Sequence, residues 1–298
     1  MIAFLFPGQG AQYVGMGRSL YEGFPAARAV FDRANSLLGF DLAKVCFDGP
    51  ADELTKSDIS QPAILTCSMA GLAAMGNPPA AAAAGLSLGE YTALVAAGAI
   101  EFDQAVPLVH DRGRYMQEAC GRRPGTMASI IALDRPKVDQ AIREASPAGT
   151  VAVANVNCPG QIVISGEAGA VDKACELAKQ LGAKMAIKLN VAGAFHSPLM
   201  EPARLKLVQR LKSVEIREPR LIVVSNVTGL PIRTPSEIRD HLARQVTSSV
   251  LWEDSMRHLL GMGIREFAEI GPGKVLAGLM KRIEPAAAVN NVDGAETV

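Results

Sequence analysis

Apolar residues follow two different spacings along the first hundred residues. Short apolar runs at Ile2–Phe6 and Ala80–Ala84 each end at glycine-containing turns, a pattern typical of buried strands in a parallel sheet. Between and after them, apolar residues recur every three to four positions, which predicts helices. These helical stretches are Phe24–Leu38, Gln61–Met75 and Glu90–Ala97. Because strands and helices alternate, the pattern predicts an α/β domain.

The pattern changes after Thr126, where a strand, a helix, two strands, a helix and a strand are predicted in turn. Their bounds are Thr126–Leu133, Pro136–Glu144, Val151–Asn157, Gln161–Ser165, Ala168–Leu181 and Lys184–Leu189. The order βαββαβ is that of a ferredoxin-like unit, so we predict a compact insertion. Afterwards the chain returns to the larger domain, through Ser197–Lys212, Leu221–Val227 and Pro235–Gln245. Only the last dozen residues are expected to be loose.

Composition narrows the classes of protein to which this chain can belong. Lysine plus arginine equals aspartate plus glutamate at 30 each, so no excess positive charge favours nucleic acid as a partner. The five cysteines are scattered without a C-x-x-C pair, which predicts small core residues in a reducing compartment, with no metal site. The apolar run at the N-terminus is too short for a signal peptide, and no run is long enough to span a membrane. We therefore expect a cytoplasmic protein.

The strongest chemical signal is the pentapeptide Gly85-Leu86-Ser87-Leu88-Gly89, which lies between a predicted strand and a predicted helix. In such a G-x-S-x-G turn, glycines allow a tight bend that exposes the serine oxygen at a helix N-terminus. That terminus carries partial positive charge, and the Leu88 amide points to where an oxyanion would form. The pentapeptide on its own is also compatible with a plain strand–helix turn.

A serine hydroxyl needs a base, and the chain has four histidines. His110, His241 and His258 lie in amphipathic or helical stretches beside charged residues, where a solvated surface position is expected. His196 instead follows the last strand of the predicted insertion, and loops at strand ends often carry catalytic groups. His196 is therefore the candidate base, although its local context leaves the choice open.

Several separate motifs together resemble the malonyl-CoA:acyl carrier protein transacylase family and the acyltransferase domains of fatty acid and polyketide synthases. They follow one another in the family's order from Met1 to about Ile283. The matching segments are Phe6–Gln12, Gly15–Gly17, Gln61–Ala63, Gly85–Tyr91, Arg112–Arg114, Met116–Gln117, Gly193–Ser197 and Gly271–Leu276. The resemblance implies a large α/β-hydrolase-like domain with a parallel sheet, formed by residues 1–124 and 192–298. A small ferredoxin-like domain, residues 125–191, is inserted in it.

The resemblance also implies roles for individual residues. Ser87 corresponds to the serine that is acylated, and His196 to the histidine that takes its proton. Gln9 corresponds to a residue whose main-chain amide joins that of Leu88 in an oxyanion hole. A phosphate-binding reading of the Gly8-Gln9-Gly10 turn is weaker, because Tyr13 stands where G-x-G-x-x-G needs its third glycine.

Three further positions are implied to bind substrate. An arginine side chain matches a carboxylate in shape and charge, and Arg112 corresponds to the family's arginine for the free carboxylate of malonyl. Phe195 precedes the histidine, where a bulky ring would crowd a substituent on the malonyl α-carbon and so favours malonyl over methylmalonyl. Gln61 corresponds to a glutamine lining the pocket. Each residue also has an alternative role without function: Arg112 as a solvated cation, Phe195 as a ring packed in the core, and Gln61 as a residue of a helix N-terminus.

Two positions depart from the family pattern. Leu86 stands where a histidine is usual, which bears on acyl preference and on hydrolysis. Around Ser248 the family often has asparagine and proline, in a segment whose main-chain carbonyl orients the histidine, and Ser248 is assigned that role here.

The sequence therefore predicts an enzyme that transfers malonyl from malonyl-CoA to an acyl carrier protein through Ser87 by a ping-pong mechanism, without a cofactor. A stand-alone polyketide acyltransferase or a malonyltransferase subunit of malonate decarboxylase is the near alternative. A serine esterase of α/β-hydrolase type is more distant, because its histidine would come late in the chain. A non-catalytic carrier-binding subunit would lack the combination of Ser87, His196 and Arg112. Nucleic acid and membrane are not expected as partners.

Overall fold

The computed structural model describes all 298 residues, which form two sheets and thirteen α-helices. The strands are β1 (Ile2–Phe6), β2 (Ala82–Gly85), β3 (Thr126–Ile131), β4 (Val151–Cys158), β5 (Gln161–Gly166), β6 (Met185–Lys188), β7 (Ile222–Val224), β8 (Pro231–Ile232), β9 (Val250–Leu251), β10 (Glu266–Ile270) and β11 (Ala288–Val292). The first helices are α1 (Arg18–Gly23), α2 (Pro25–Leu38), α3 (Leu42–Asp48), α4 (Ala51–Thr55), α5 (Ser57–Ala74), α6 (Leu88–Ala96) and α7 (Phe102–Arg122). The remaining helices are α8 (Arg135–Ala145), α9 (Ala168–Gln180), α10 (Glu201–Leu211), α11 (Pro235–Gln245), α12 (Trp252–Gly261) and α13 (Val275–Ile283).

The larger sheet has the strand order β11-β10-β1-β2-β7-β8. All neighbouring strands are parallel except β7 and β8. Since parallel strands end at the same edge, the loops that follow β1, β2, β7 and β10 meet there. The predicted α/β class and its parallel sheet are confirmed.

Both faces of the larger sheet are covered, which explains why β1 is apolar throughout. Phe4 and Phe6 pack into the main core, together with buried residues of α2, α5 and α7. Ala3 and Leu5 point to the opposite face and pack into a second core that contains the fully buried Trp252. Alternate residues of a strand point to opposite faces, so a strand between two helical layers has no polar side.

The smaller sheet has the order β6-β3-β5-β4-β9 and is antiparallel except for the β4–β9 pair. Helices α8 and α9 pack on it through a third apolar core. The predicted βαββαβ order is confirmed, but a fifth strand was not foreseen. Val250 and Leu251 come from outside residues 125–191 and extend this sheet. The boundaries between the two domains stay a prediction.

The prediction of a loose C-terminal end is wrong for most of the segment. Residues 288–292 form β11, which pairs along its whole length with β10. Next to it, the Asp293 carboxylate accepts hydrogen bonds from the Gly273 amide and the Tyr13 hydroxyl, both at 3.0 Å. A strand at the edge of a sheet is held by hydrogen bonds to the main chain of its neighbour. A short and weakly apolar segment such as this one therefore gives no sequence signal that it forms a strand.

None of the thirteen helices is both long and apolar enough to cross a membrane.

Helices α5 and α7 approach so closely at Gly113 that a β-carbon there would lie 2.1 Å from the Ser57 carbonyl oxygen. We expect Gly113→Ala to lower the free energy of unfolding by about 1–3 kcal/mol, because the helices must separate. Gly121 lies in the same helix with no atom within 4 Å of its β-carbon position. Gly121→Ala is therefore the matched control and should not lower stability. Urea unfolding of both variants checks this, and equal stabilities would contradict it.

Candidate active site

Ser87 lies in a strained turn between the end of β2 and the start of α6. Its φ of 54° and ψ of −103° are unusual for a residue with a side chain. Gly85 and Gly89 are required here, since their β-carbons would fall 1.9 Å from Gly89 main-chain atoms and 2.1 Å from the Phe6 carbonyl oxygen. The Asn226 side chain stabilises the turn from the end of β7. Its Oδ1 accepts from the Ser87 amide and its Nδ2 donates to the Gly85 carbonyl, each at 2.7 Å.

The Ser87 hydroxyl contacts the His196 ring directly, with Oγ 2.8 Å from Nε2. The other ring nitrogen, Nδ1, lies 2.9 Å from the main-chain carbonyl oxygen of Gln245. A carbonyl oxygen can only accept, so Nδ1 carries the proton and Nε2 is free to accept the serine proton. This arrangement provides a serine with a base and holds the base in the required tautomer without an acidic residue.

Burial, and after it the nearby charge of Arg112, lower the pKa of His196 to about 4. Main-chain interactions with Gln245 and Ser248 oppose this shift in part, since they favour the charged ring. His196 is therefore neutral at pH 7 and able to act as a base.

The family resemblance assigns the histidine-orienting role to Ser248. The hydrogen bond from Nδ1 goes to Gln245, three residues earlier. The Ser248 main chain forms no hydrogen bond to the ring, although it favours the charged form of His196. Gln245 lies in the same segment as Ser248, and which carbonyl of that segment reaches the ring depends on how the chain turns after α11. The role of Ser248 itself stays a prediction.

Arg112 is a buried cation, 1% exposed, on the face of α7 that points toward Ser87. Its Nη2 donates to Ser87 Oγ at 3.1 Å and to Gln245 Oε1 at 2.9 Å, and its Nη1 donates to Gln61 Oε1 at 2.6 Å. The Tyr91 ring lies against the guanidinium, with 5.2 Å from Cζ to the ring centroid. No carboxylate forms a salt bridge with Arg112, and its Nε has no partner. A buried guanidinium in this state is suited to an anionic ligand.

The loop after β1 packs directly onto the serine turn, because a β-carbon on Gly8 would lie 2.4 Å from the Leu86 carbonyl oxygen. The Gln9 amide in this loop makes no hydrogen bond to another main-chain group. Leu88 is the first residue of α6, so its amide has no partner within the helix. The side chain of Gln9 accepts from Gln61 Nε2 at 3.4 Å. Both predicted oxyanion-hole residues therefore stand at the edge of the sheet where Ser87 lies.

Phe195 precedes His196 in the chain and Leu86 precedes Ser87, and the two side chains pack in different cores. Phe195 is 7% exposed and belongs to the main core. Leu86 is half-buried and packs against the second core, on the opposite face of the sheet. Their predicted effects on acyl selectivity stay predictions.

None of the other three histidines forms a hydrogen bond with Ser87. Two of them are half-buried and hydrogen-bonded, His110 to the Asp58 carbonyl at 2.7 Å and His241 to the Ser225 hydroxyl at 3.0 Å. They are thus more enclosed than the surface position expected from the sequence. No group of three or more histidine, cysteine or acidic side chains is placed to hold a metal ion.

Three residues that contact the serine turn were not predicted as site residues from the sequence: Asn226, Gln245 and Glu90. Asn226 follows β7, the strand next to β2, so the tendency of functional residues to follow parallel strands could have suggested it. Gln245 is the last residue of a helix and begins the segment around Ser248, but nothing in the sequence singles it out within that segment. Only the folded chain brings it to within 2.9 Å of the Ser87 carbonyl oxygen.

The low pKa of His196 predicts the pH dependence of serine reactivity. Because the ring stays neutral until pH approaches about 4, the rate of Ser87 labelling by a fluorophosphonate should stay level from pH 7 to about pH 5 and fall below that. In Arg112→Ala the drop should begin at a higher pH, since a nearby positive charge is removed. Labelling rates measured from pH 4 to 8 test this, and a midpoint near 6.5 in the unaltered protein would contradict it.

Comparisons with known proteins agree on one family. A family model described as "Acyl transferase domain" matches residues 3–297. The "Malonyl CoA-acyl carrier protein transacylase" of Bacillus subtilis (strain 168) is 46% identical over 301 residues, covering 100% of this chain and 95% of the relative. The protein of the same name from Escherichia coli (strain K12) is 43% identical, covering 94% of this chain and 92% of the relative.

Solved structures show the same similarity. A malonyl CoA-acyl carrier protein transacylase from Clostridium perfringens has a TM-score of 0.96 and 41% identity, covering 99% of this chain and 94% of that one. A malonyl-transacylase in complex with its type II PKS acyl-carrier protein has a TM-score of 0.96 and 39% identity, covering 99% and 97%. The chain therefore belongs to the acyl transferase domain family and, within it, to the malonyl CoA-acyl carrier protein transacylases.

Proposed function

We propose that this chain transfers a malonyl group from malonyl-CoA to the phosphopantetheine thiol of an acyl carrier protein, through an ester on Ser87. The observation that carries the proposal is the position of Ser87 Oγ, 2.8 Å from His196 Nε2 and 3.1 Å from Arg112 Nη2. One hydroxyl thus has both a neutral base and a buried cation within reach. The names of the relatives support the choice of donor and acceptor.

In the first half-reaction, His196 Nε2 accepts the Ser87 proton while Oγ attacks the thioester carbon of malonyl-CoA. The Gln9 and Leu88 amides stabilise the oxyanion that forms on the carbonyl oxygen. The carbon–sulfur bond then breaks, and coenzyme A leaves with the proton from Nε2. In the second half-reaction the carrier thiol gives its proton to Nε2 and attacks the ester, and Ser87 Oγ regains the proton as it leaves.

Arg112 provides the selectivity for malonyl in this proposal. Its guanidinium is buried, has no carboxylate partner and keeps Nε unpaired, so the free carboxylate of malonyl would fill an unsatisfied position. Gln61 holds the guanidinium from the other side at 2.6 Å. Phe195 would limit substituents on the α-carbon, and Leu86 would affect acyl preference and hydrolysis.

The reaction needs no resident cofactor, since the reactive groups are the thioester and two side chains. All five cysteines are free thiols, which fits the proposed site of action in the cytoplasm. A polyketide carrier is an alternative acceptor to a fatty acid carrier, because one similar structure holds a type II PKS acyl-carrier protein.

The central test is the mass of the protein after exposure to malonyl-CoA. We expect one malonyl group to be added, and the added mass to disappear when a carrier protein with a free phosphopantetheine thiol is supplied. Ser87→Ala should show no added mass, because no other hydroxyl has His196 as its base. Added mass that persists in Ser87→Ala, or none in the unaltered protein, would refute the proposal.

A second test concerns Arg112. We expect Arg112→Ala to lower kcat/KM for malonyl-CoA by about a hundredfold or more, since a buried charge pair is lost. Acylation by acetyl-CoA should be retained or increased. Arg114 lies in the same helix, is half exposed and pairs with Asp111, so Arg114→Ala is the matched control. Equal loss with both acyl-CoA substrates in Arg112→Ala would indicate that Arg112 is structural.

A further inference from the structure

Glu90 carries a buried carboxyl group next to the active site, and the proposed reaction does not use this group. It lies in the first turn of α6, three residues after Ser87, and is fully buried. Its Oε2 lies 2.5 Å from Gln245 Nε2, and its Oε1 has no hydrogen-bond partner. Burying an incompletely paired carboxyl group is costly, so its position calls for a role.

The neighbours of Gln245 dictate which way its side-chain amide points. Arg112 Nη2 lies 2.9 Å from Gln245 Oε1, and a guanidinium can only donate, so the amide oxygen must face Arg112. The amide nitrogen then faces two close acceptors, the Ser87 carbonyl at 2.9 Å and Glu90 Oε2, and a more distant one, Asn226 Oδ1 at 3.5 Å. If the amide were reversed, its NH₂ group would face the guanidinium, and its oxygen would face both close acceptors.

We propose that Glu90 is a positioning residue, which fixes the side-chain amide of Gln245 so that Arg112 is held beside Ser87 to receive a carboxylate. This inference rests on the carboxylate-binding role of Arg112 in the proposed function. The Glu90 carboxyl group makes no hydrogen bond to the Ser87 hydroxyl or to the Arg112 guanidinium, and its one side-chain hydrogen bond goes to Gln245, through which it reaches both. Both the charged and the neutral form of the carboxyl group offer an acceptor oxygen to Gln245. Orientation of the Gln245 amide therefore requires an acceptor at position 90, whether or not the group is charged.

The chain offers a matched pair of variants. Glu90→Gln keeps the volume and one acceptor oxygen, whereas Glu90→Ala removes both. The direct measurement is protection of Ser87 from a fluorophosphonate by free malonate, with acetate as the reference anion. This measures carboxylate binding at Arg112 without requiring acyl transfer.

We expect Glu90→Ala to weaken protection by malonate about tenfold, the cost of one misdirected buried hydrogen bond, with a much smaller change in the labelling rate without malonate. Glu90→Gln should restore protection to near that of the unaltered protein. In kinetics with malonyl-CoA, Glu90→Ala should raise KM more than it lowers kcat. In a Gln245→Leu background, Glu90→Ala should have no further effect on protection, because the residue through which it acts is gone.

If malonate protects Ser87 equally well in Glu90→Ala and in the unaltered protein, the inference is overturned. It is also overturned if, in both Glu90→Ala and Glu90→Gln, protection by malonate and the labelling rate without malonate fall by the same factor. An undiminished effect of Glu90→Ala in the Gln245→Leu background would also overturn it. Thermal unfolding of each variant identifies any that fail to fold, and for these the comparison rests on Glu90→Asp. A failure of the proposed function is distinguishable from a failure of this inference: in that case malonate protects Ser87, but malonyl-CoA does not acylate it. Absence of any protection by malonate in the unaltered protein would overturn the present inference.

Discussion

The strained main chain at Ser87 is the constraint on which the rest of the site depends. A residue with a side chain in this conformation costs about 1–3 kcal/mol, and the surrounding structure must supply that energy. It does so with the two Asn226 hydrogen bonds and with the close packing that Gly85 and Gly89 allow. The strain directs Oγ toward the edge of the sheet and leaves the Leu88 amide at the helix start unpaired.

Burial has opposite consequences for the two basic side chains that meet at Ser87. His196 loses its charge, since desolvation and the charge of Arg112 both favour the neutral ring. Desolvation also lowers the pKa of Arg112, but an arginine starts so far above neutrality that it stays charged. The same dry environment therefore yields a base and a fixed cation within 3.1 Å of one hydroxyl. The two roles differ because the intrinsic basicities differ, and no acidic residue is needed to separate them.

Gln245 alone connects the base, the buried cation and the serine turn. Its main chain holds the histidine tautomer, and its side chain contacts both the guanidinium and the Ser87 carbonyl. A change in the position of α11 would therefore move the base and the carboxylate site together. This explains how the smaller sheet is linked to the site as well, because the segment after α11 runs into β9, which pairs with β4.

The sequence by itself determined the local features of this protein: the apolar strands β1 and β2, the βαββαβ order, and the serine turn with its glycines. These depend on residues that are neighbours in the chain, where spacing and residue type are sufficient. Only the tertiary structure decided that Gln245 holds the histidine, that Asn226 stabilises the turn and that residues 288–292 form a strand. The contacts of Ser87 with Asn226 and Gln245 join residues 139 and 158 positions apart. Such contacts arise from the packing of whole elements, which no local pattern encodes.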